Sequence, residues 1–153
     1  MTLAIGEPAP AFSLPDQHGT PVSLSDFTGS KNLVVVFYPF AFSRVCTSEM
    51  CEIRDHHADL ANDTTAVVAV SCDHMFSLRA FAEQDRLEFP LLSDFWPHGE
   101  VAATYGIFNA ETGAAGRATF IVDREGVLRW KVKNEIPQAR NLGDYQDLLA
   151  GLG

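Results

Sequence analysis

The sequence predicts an α/β fold built on one sheet, because two buried-type strands are each followed by a segment of helical period. Residues 32–38 and 66–70 are apolar and largely β-branched without polar alternation, which is typical of strands covered on both faces. Apolar residues recur at helical spacing over 43–60 and 75–84. Strand, helix, strand, helix in this order predicts parallel strands at the centre of the sheet.

Extended segments pair on either side of this core. Near the N-terminus, 11–14 and 21–24 flank a turn and form a hairpin. Towards the C-terminus, 119–122 and 127–132 form a second hairpin, and a last helix is expected over 139–149. We therefore expect a central mixed sheet flanked by helices, with an N-terminal β-hairpin, as one domain over residues 1–153.

Composition and charge exclude several functions. At 153 residues the chain fits one domain with a hydrophobic core. Its formal net charge of −9 disfavours nucleic acids and anionic lipid surfaces, because no basic stripe offsets it. The longest apolar run, 33–42, is too short to span a bilayer, and residues 1–5 do not look like the start of a secretory signal. We expect a cytoplasmic protein.

One cysteine stands where the first strand gives way to the first long helix. In this turn, Pro39, Ser43 and Cys46 follow the apolar strand. Unpaired N–H groups and the positive end of a helix dipole lower the pKa of a thiol placed there. The alternative is that Cys46 is a small apolar residue of an amphipathic helix. Three cysteines in a reducing compartment favour thiol chemistry over a disulfide framework.

Helical projection separates the two cysteines of this first helix. At about 100° per residue, Met50 and Ile53 lie on the face of Cys46, whereas Cys51 lies about 140° away and should be more exposed. His57 falls on the inner face, where a hydrogen-bonded core histidine is the favoured interpretation over a catalytic one. In the second helix, residues expected on or near the inner face are Phe76, Leu78, Ala80 and Phe81.

The order P-x3-S-x2-C after an apolar strand resembles the peroxiredoxin signature. The resemblance covers most of the chain and includes Gly6-Glu7-Pro8-Ala9-Pro10, Phe89-Pro90-Leu91-Leu92-Ser93-Asp94, Tyr105-Gly106 and Arg117-Ala118-Thr119-Phe120-Ile121-Val122-Asp123. It implies a thioredoxin-like fold and thiol-dependent reduction of hydrogen peroxide, organic hydroperoxides and peroxynitrite. It also implies a homodimer formed through the loops beside the cysteine.

The resemblance assigns a role to each residue of the site. Cys46 is the peroxidatic nucleophile and becomes a sulfenic acid. Ser43 directs its hydroxyl at the same pocket, and Pro39 shields the sulfur from bulk water. Arg117 matches a family arginine that holds the thiolate and donates to the peroxide, and Glu49 matches a glutamate that orients it. From the residues alone, an exposed charge at a strand start is the favoured interpretation of Arg117. Glu49 could equally be an acid favoured by the helix dipole.

The cysteine that resolves the sulfenic acid is a separate question. The spacing of Cys46 and Cys51, C-x4-C, resembles the Q-type, or bacterioferritin-comigratory, branch, whereas other stretches resemble the AhpE-type branch, which is described as one-cysteine. Five residues of intact helix separate the two α-carbons by roughly 8 to 9 Å, beyond the ~7 Å limit of a disulfide. Resolution by Cys51 therefore requires the helix to unwind. We favour an AhpE-like framework that carries a Q-type resolving Cys51 over an incidental Cys51. For Cys72 the favoured interpretation is a small core-filling thiol, and it is a less favoured resolver.

Aromatic residues gather in loops around the predicted site. We expect a substrate pocket formed by Phe40, Phe42, Val45 and Trp96, and these aromatics with Phe95 and Phe108 predict a pocket collar or a dimer surface.

The expected reductant is a thioredoxin-like or glutaredoxin-like protein or a low-molecular-weight thiol. No cofactor or metal is expected, because the cysteines and histidines lack CxxC or HExxH spacing. A disulfide reductase would need C-x-x-C, whereas a redox-sensing partner protein would share every motif.

Overall fold

The structure is a computed structural model that describes residues 3–55 and 64–133, with only the backbone described for 44–49. The strands are β1 (Ser13–Pro15), β2 (Pro21–Ser23), β3 (Asn32–Phe37), β4 (Thr65–Ser71), β5 (Leu91–Ser93), β6 (Phe108–Asn109), β7 (Ala114–Ala115), β8 (Ala118–Val122) and β9 (Leu128–Lys133). The helices are α1 (Arg44–Asp55), α2 (Met75–Asp85) and α3 (Glu100–Thr104), with a 3-10 turn at Leu24–Asp26. His56, His57 and the predicted helix 139–149 lie outside the described residues.

The five-stranded sheet has the order β5-β4-β3-β8-β9. β3 is parallel to β4 and antiparallel to β8, so the sheet is mixed, as predicted. Every residue of β3 is buried, which confirms the interpretation of its unbroken apolar run. The N-terminal hairpin is present as β1 and β2, and β8 pairs with β9 in the second predicted hairpin.

The sheet separates two hydrophobic clusters. On one face, Val34 and Val36 of β3 pack with Met50 and Ile53 of α1 and with side chains of α2. On the other face, alternate residues of β3 pack with the N-terminal hairpin, α3 and Phe120 of β8. Met50 and Ile53 are fully buried and Cys51 is half-buried, as the helical projection predicted. The described part of the chain contains no helix that is long and apolar enough to cross a membrane.

Two local predictions differ from the structure. In α2, the inner face consists of Leu78, Phe81 and Ala82, whereas Phe76 is 64% exposed and Ala80 is also exposed. The prediction was wrong because residues two apart lie about 200° apart on a helix, so Phe76 and Leu78 cannot share one face. The short antiparallel pair of β6 and β7 was not predicted, since two-residue strands carry no periodicity.

The strand directions give the sheet two distinct edges. The carboxyl edge is defined here by the ends of β3, β4 and β5 and by the start of the antiparallel β8. The opposite edge holds the starts of β3 and β4 and the turn between β8 and β9. In open α/β sheets, ligands collect at the carboxyl ends of parallel strands.

Candidate active site

The loop between β3 and α1 lies at the carboxyl edge and is shaped by a few fixed residues. Tyr38 is fully buried and its N–H donates to the Val70 carbonyl at 3.0 Å, continuing the ladder to β4. Pro39 is also buried, after which the chain turns outwards. Phe42 has a φ of 68°, a left-handed conformation that costs a non-glycine residue of order 1 kcal/mol or more. The strain is therefore held where the chain reaches Ser43 and enters the helix.

An aspartate on the neighbouring strand anchors this loop. The carboxylate of Asp73 accepts the Ala41 N–H at 2.8 Å and the Ser71 hydroxyl at 2.7 Å, both on Oδ2. The Asp73 carbonyl accepts the Ser93 hydroxyl at 2.6 Å. One residue thus joins the ends of β4 and β5 to the approach of α1. Sequence reasoning missed Asp73, although an acidic residue just after a parallel strand was the available signal.

Cys46 occupies the third position of α1. The first four N–H groups of an α-helix have no partner within the helix, so Cys46 stands among backbone donors at the positive end of the dipole. The backbone therefore provides the environment that the sequence predicted for a reactive thiol. The side chains of Val45, Cys46 and Glu49 lie outside the described residues, and their predicted roles stay predictions.

Arg117 reaches the same edge from the far side of the central strand. In the antiparallel register, Ala118 pairs with Phe37, so Arg117 stands level with the residue that follows β3. Its side chain is only 2% exposed. A guanidinium is almost never buried so fully without a specific purpose or partner. The alternative interpretation of Arg117 as an exposed charge is therefore wrong, and a cation is built into the interior beside the entry to α1.

Comparison of the sequence with known proteins identifies the family of this chain. The profile of the AhpC/TSA family matches residues 5–131. The chain belongs to the AhpC/TSA family of peroxiredoxins. It is 41% identical over 150 residues to alkyl hydroperoxide reductase E of Mycobacterium tuberculosis, covering 98% of each chain. It is also 32% identical to the 2-Cys peroxiredoxin BAS1 of Spinacia oleracea, covering 97% of this chain and 59% of that protein.

Solved structures of this family have the same fold. The peroxidoxin BcpB of Mycobacterium tuberculosis superposes with a TM-score of 0.87 at 31% identity, covering 97% of both chains. AhpC of Enterococcus faecalis gives a TM-score of 0.87 at 30% identity, covering 99% of this chain and 92% of that one. The expected thioredoxin-like fold is confirmed. This AhpC/TSA member is a thiol-dependent peroxidase.

Cys51 of this peroxidase is half-buried on α1. Partial burial raises the pKa of its thiol; Arg54 partly offsets this, and Asp85 and Asp55 raise the pKa further. The Arg54 guanidinium donates to the Asp85 carbonyl at 2.5 Å, which ties the end of α1 to α2. As long as α1 is intact, Cys51 is therefore a poor nucleophile.

Cys72 follows β4 directly and is 6% exposed. Burial, reinforced by the nearby Asp94 carboxylate, raises the pKa of its thiol to about 11, although a hydrogen bond from the Ala115 backbone acts in the other direction. At neutral pH only about one molecule in ten thousand would carry this thiolate. The interpretation of Cys72 as a small core-filling residue fits these surroundings.

The predicted pocket aromatics take up two different positions. Phe40 and Phe42 are exposed in the loop that leads to α1. The centroids of the Phe42 ring and of the Phe81 ring in α2 are 5.1 Å apart. Trp96 is 81% exposed and lines a cleft of ≈ 240 Å³ with Glu100 and residues 11–14.

A second anchor lies below this cleft and was missed by sequence reasoning. The Asp94 carboxylate accepts the N–H groups of Val101 and Ala102 at 3.1 and 2.9 Å. It therefore caps the first turn of α3 and fixes the loop that carries Trp96. Within residues 3–55 and 64–133, no three His, Cys, Asp or Glu side chains are grouped so as to hold a metal ion.

Proposed function

We propose that Cys46 is the peroxidatic residue of this enzyme. Its thiolate attacks one oxygen of ROOH, the O–O bond breaks, and the sulfur becomes a sulfenic acid while the other oxygen leaves with its electron pair and is protonated to ROH. The observation that supports this best is the first-turn position of Cys46 at the same sheet edge as the buried Arg117.

The neighbouring residues have defined parts in the proposal. The Arg117 guanidinium and the N–H groups of the first turn stabilise charge on the leaving oxygen, where positioned donors have their largest effect. Ser43 donates its hydroxyl to the peroxide, Pro39 keeps bulk water from the sulfur, and Glu49 orients the arginine. The exposed apolar side chains near this loop favour organic hydroperoxides as substrates alongside hydrogen peroxide and peroxynitrite, and a relative carries the name alkyl hydroperoxide reductase E.

Three single substitutions test the nucleophile. Cys46→Ser is expected to lower the rate of peroxide consumption at least about a thousandfold, because a serine hydroxyl is not ionised and cannot form a sulfenic acid. In a single-turnover assay, Cys51→Ser and Cys72→Ser should consume the first equivalent of peroxide at the wild-type rate. If Cys46→Ser retains turnover, this assignment is wrong.

We propose further that Cys51 resolves the sulfenic acid after the first turns of α1 unwind. Its sulfur displaces the sulfenic oxygen as water, giving a Cys46–Cys51 disulfide. The ~8 to 9 Å between α-carbons on an intact helix forbids this bond, and the raised pKa of Cys51 lowers its thiolate fraction until then. Unwinding removes both obstacles at once, because it shortens the span and exposes the thiol to water.

Mass spectrometry after one equivalent of peroxide tests the resolving step. The expected product is a Cys46–Cys51 disulfide, present in Cys72→Ser and absent from Cys51→Ser. A sulfenic acid that persists with no such bond would remove Cys51 from the mechanism, and a bond to Cys72 would transfer its role to that residue.

The reductant, the assembly and the location are part of the same proposal. A thioredoxin-like or glutaredoxin-like protein or a low-molecular-weight thiol returns the oxidised enzyme to the thiol form. The loops that bear Phe40 and Trp96 form a homodimer, and the enzyme acts in the cytoplasm. Trp96→Ser should weaken the dimer in sedimentation equilibrium whereas Ile5→Ser, an exposed apolar residue at the opposite edge, should not. Supplying each reductant class in turn identifies the one that sustains turnover.

A further inference from the structure

A cavity of ≈ 280 Å³ lies on the sheet face opposite α1. Its apolar lining includes Tyr105, Ile107 and Phe120. The Tyr105 hydroxyl donates to the Pro10 carbonyl at 2.7 Å, so this residue presents its ring rather than a free polar group. The cavity is therefore a place for an apolar body of limited size.

Two lysines border this cavity, and they are unusual in this chain. The sequence contains only three lysines, Lys31, Lys131 and Lys133, and has a net charge of −9. Lys131 and Lys133 are two residues apart on β9, so their side chains leave the same face of the strand. Among residues 3–55 and 64–133, no acidic residue lines the cavity to neutralise them. A strongly acidic protein thus has two of its three ammonium groups at one apolar cavity.

The register explains how charge and apolar surface meet there. Lys131 pairs with Phe120 and Lys133 pairs with Ala118, so each ammonium extends from a position directly beside the apolar floor. The Lys131 ammonium donates to the Leu3 carbonyl, which fixes its direction. An ammonium has three donors, so two remain for a ligand. Lysines on an edge strand also discourage strand pairing between chains, but that purpose does not require a cavity beside them.

We propose that this cavity binds an amphipathic organic monoanion, a carboxylate that carries an apolar chain of several carbons. The acid group lies between the ammonium groups of Lys131 and Lys133, and the chain covers Ile107 and Phe120. Charge complementarity selects this occupant, since the other side chains that border the cavity in the described part of the chain are apolar or, as Tyr105 is, already hydrogen-bonded. The site lies on the other side of the sheet from the Cys46 helix and is independent of the proposed peroxidase mechanism.

An NMR titration of ¹⁵N-labelled protein with octanoate tests the proposal. The amide signals of Ile107, Phe120 and Lys131 are expected to shift, and 1-octanol should bind at least about fivefold more weakly because it lacks the charge. Lys131→Gln and Lys133→Gln should each weaken octanoate binding up to about fivefold, and the double variant more. The matched control is Lys31→Gln, which makes the same charge change away from the cavity and should leave the affinity unchanged.

Several outcomes would overturn this inference. They are equal affinity for octanoate and 1-octanol, equal weakening by Lys31→Gln and Lys131→Gln, unchanged binding in the double variant, and no shift at Ile107 and Phe120. Cys46→Ser should bind octanoate as the wild type does. A loss of binding in that variant would show that octanoate occupies the peroxide site, whereas a failure of Cys46 in the activity assay leaves the cavity result unaffected.

Discussion

The two edges of the sheet differ in their side chains: the carboxyl edge exposes large apolar groups, whereas the opposite edge holds hydrogen-bonded polar groups. Of the six large apolar side chains that are exposed among the described residues, five belong to segments at the carboxyl edge: Phe40, Phe42, Phe76, Phe95 and Trp96. The sixth, Ile5, lies near the opposite edge, where Gly6 bonds to Leu128. Large apolar side chains that are exposed together in one region are typical of interaction sites. Five of the six therefore lie at the edge where the proposed peroxide site and the proposed dimer surface are located.

At the opposite edge, polar groups are satisfied locally. The Asp123 carboxylate accepts the N–H groups of Glu125 and Val127 at 2.9 Å each, and Arg129 Nε donates to it at 2.5 Å. Burial acts to raise the pKa of Asp123, but these hydrogen bonds and the charge of Arg129 outweigh it and hold the pKa below its ordinary value. Substitutions at the carboxyl edge should therefore change activity, whereas substitutions at the opposite edge should change stability.

The largest difference in activity is expected between variants of two arginines, one at each edge. Arg117→Gln should lower kcat/KM for peroxide by about a hundredfold to a thousandfold, the usual cost of removing a donor to developing charge. Arg129→Gln, the matched change at the opposite edge, should leave kcat/KM within about twofold. Steady-state kinetics measure both. Because Arg117 is buried, thermal unfolding of each variant is needed as a control. Equal losses of kcat/KM in Arg117→Gln and Arg129→Gln would show that the two edges do not differ in their contribution to activity.

A smaller effect is expected from the residue that anchors the loop. Asp73→Ala removes the acceptor of the Ala41 N–H and of the Ser71 hydroxyl, so the approach to α1 is no longer held in place. We expect kcat/KM to fall about tenfold through lost positioning. Ser93→Ala removes only the bond to the Asp73 carbonyl and serves as a milder comparison. Wild-type kinetics in Asp73→Ala would show that this tether does not position the site.

The smallest effect concerns stability at the opposite edge. Asp123→Asn should lower the free energy of unfolding by about 1 kcal/mol at pH 7 and leave peroxide consumption unchanged. Because the pKa of Asp123 is lower in the folded state, its stabilisation is complete above the unfolded pKa of about 3.9 and is lost as the pH falls through the folded pKa. Urea unfolding should therefore show the difference between wild type and variant shrinking below about pH 4. A difference that persists there would exclude the charge as its cause.

Sequence reasoning was most successful where one local pattern determines the structure. The unbroken apolar runs of β3 and β4 predicted central strands, and the spacing of Met50 and Ile53 predicted the buried face of α1. The contact of Asp73 with Ala41 could not be predicted, because it joins residues 32 apart through the pairing of two strands. The burial of Arg117 likewise depends on antiparallel register, and only family resemblance indicated its importance.

The burial of Cys72 has a consequence for how this thiol reacts with oxidants and alkylating reagents. Its sulfur is enclosed and strongly protonated, so alkylating reagents and oxidants that consume accessible thiols should spare it while the domain remains folded. After prolonged oxidative stress, an intact Cys72 would identify chains that never opened, and a modified one would count those that had unfolded. The fraction of modified Cys72 would therefore measure the fraction of molecules that have unfolded.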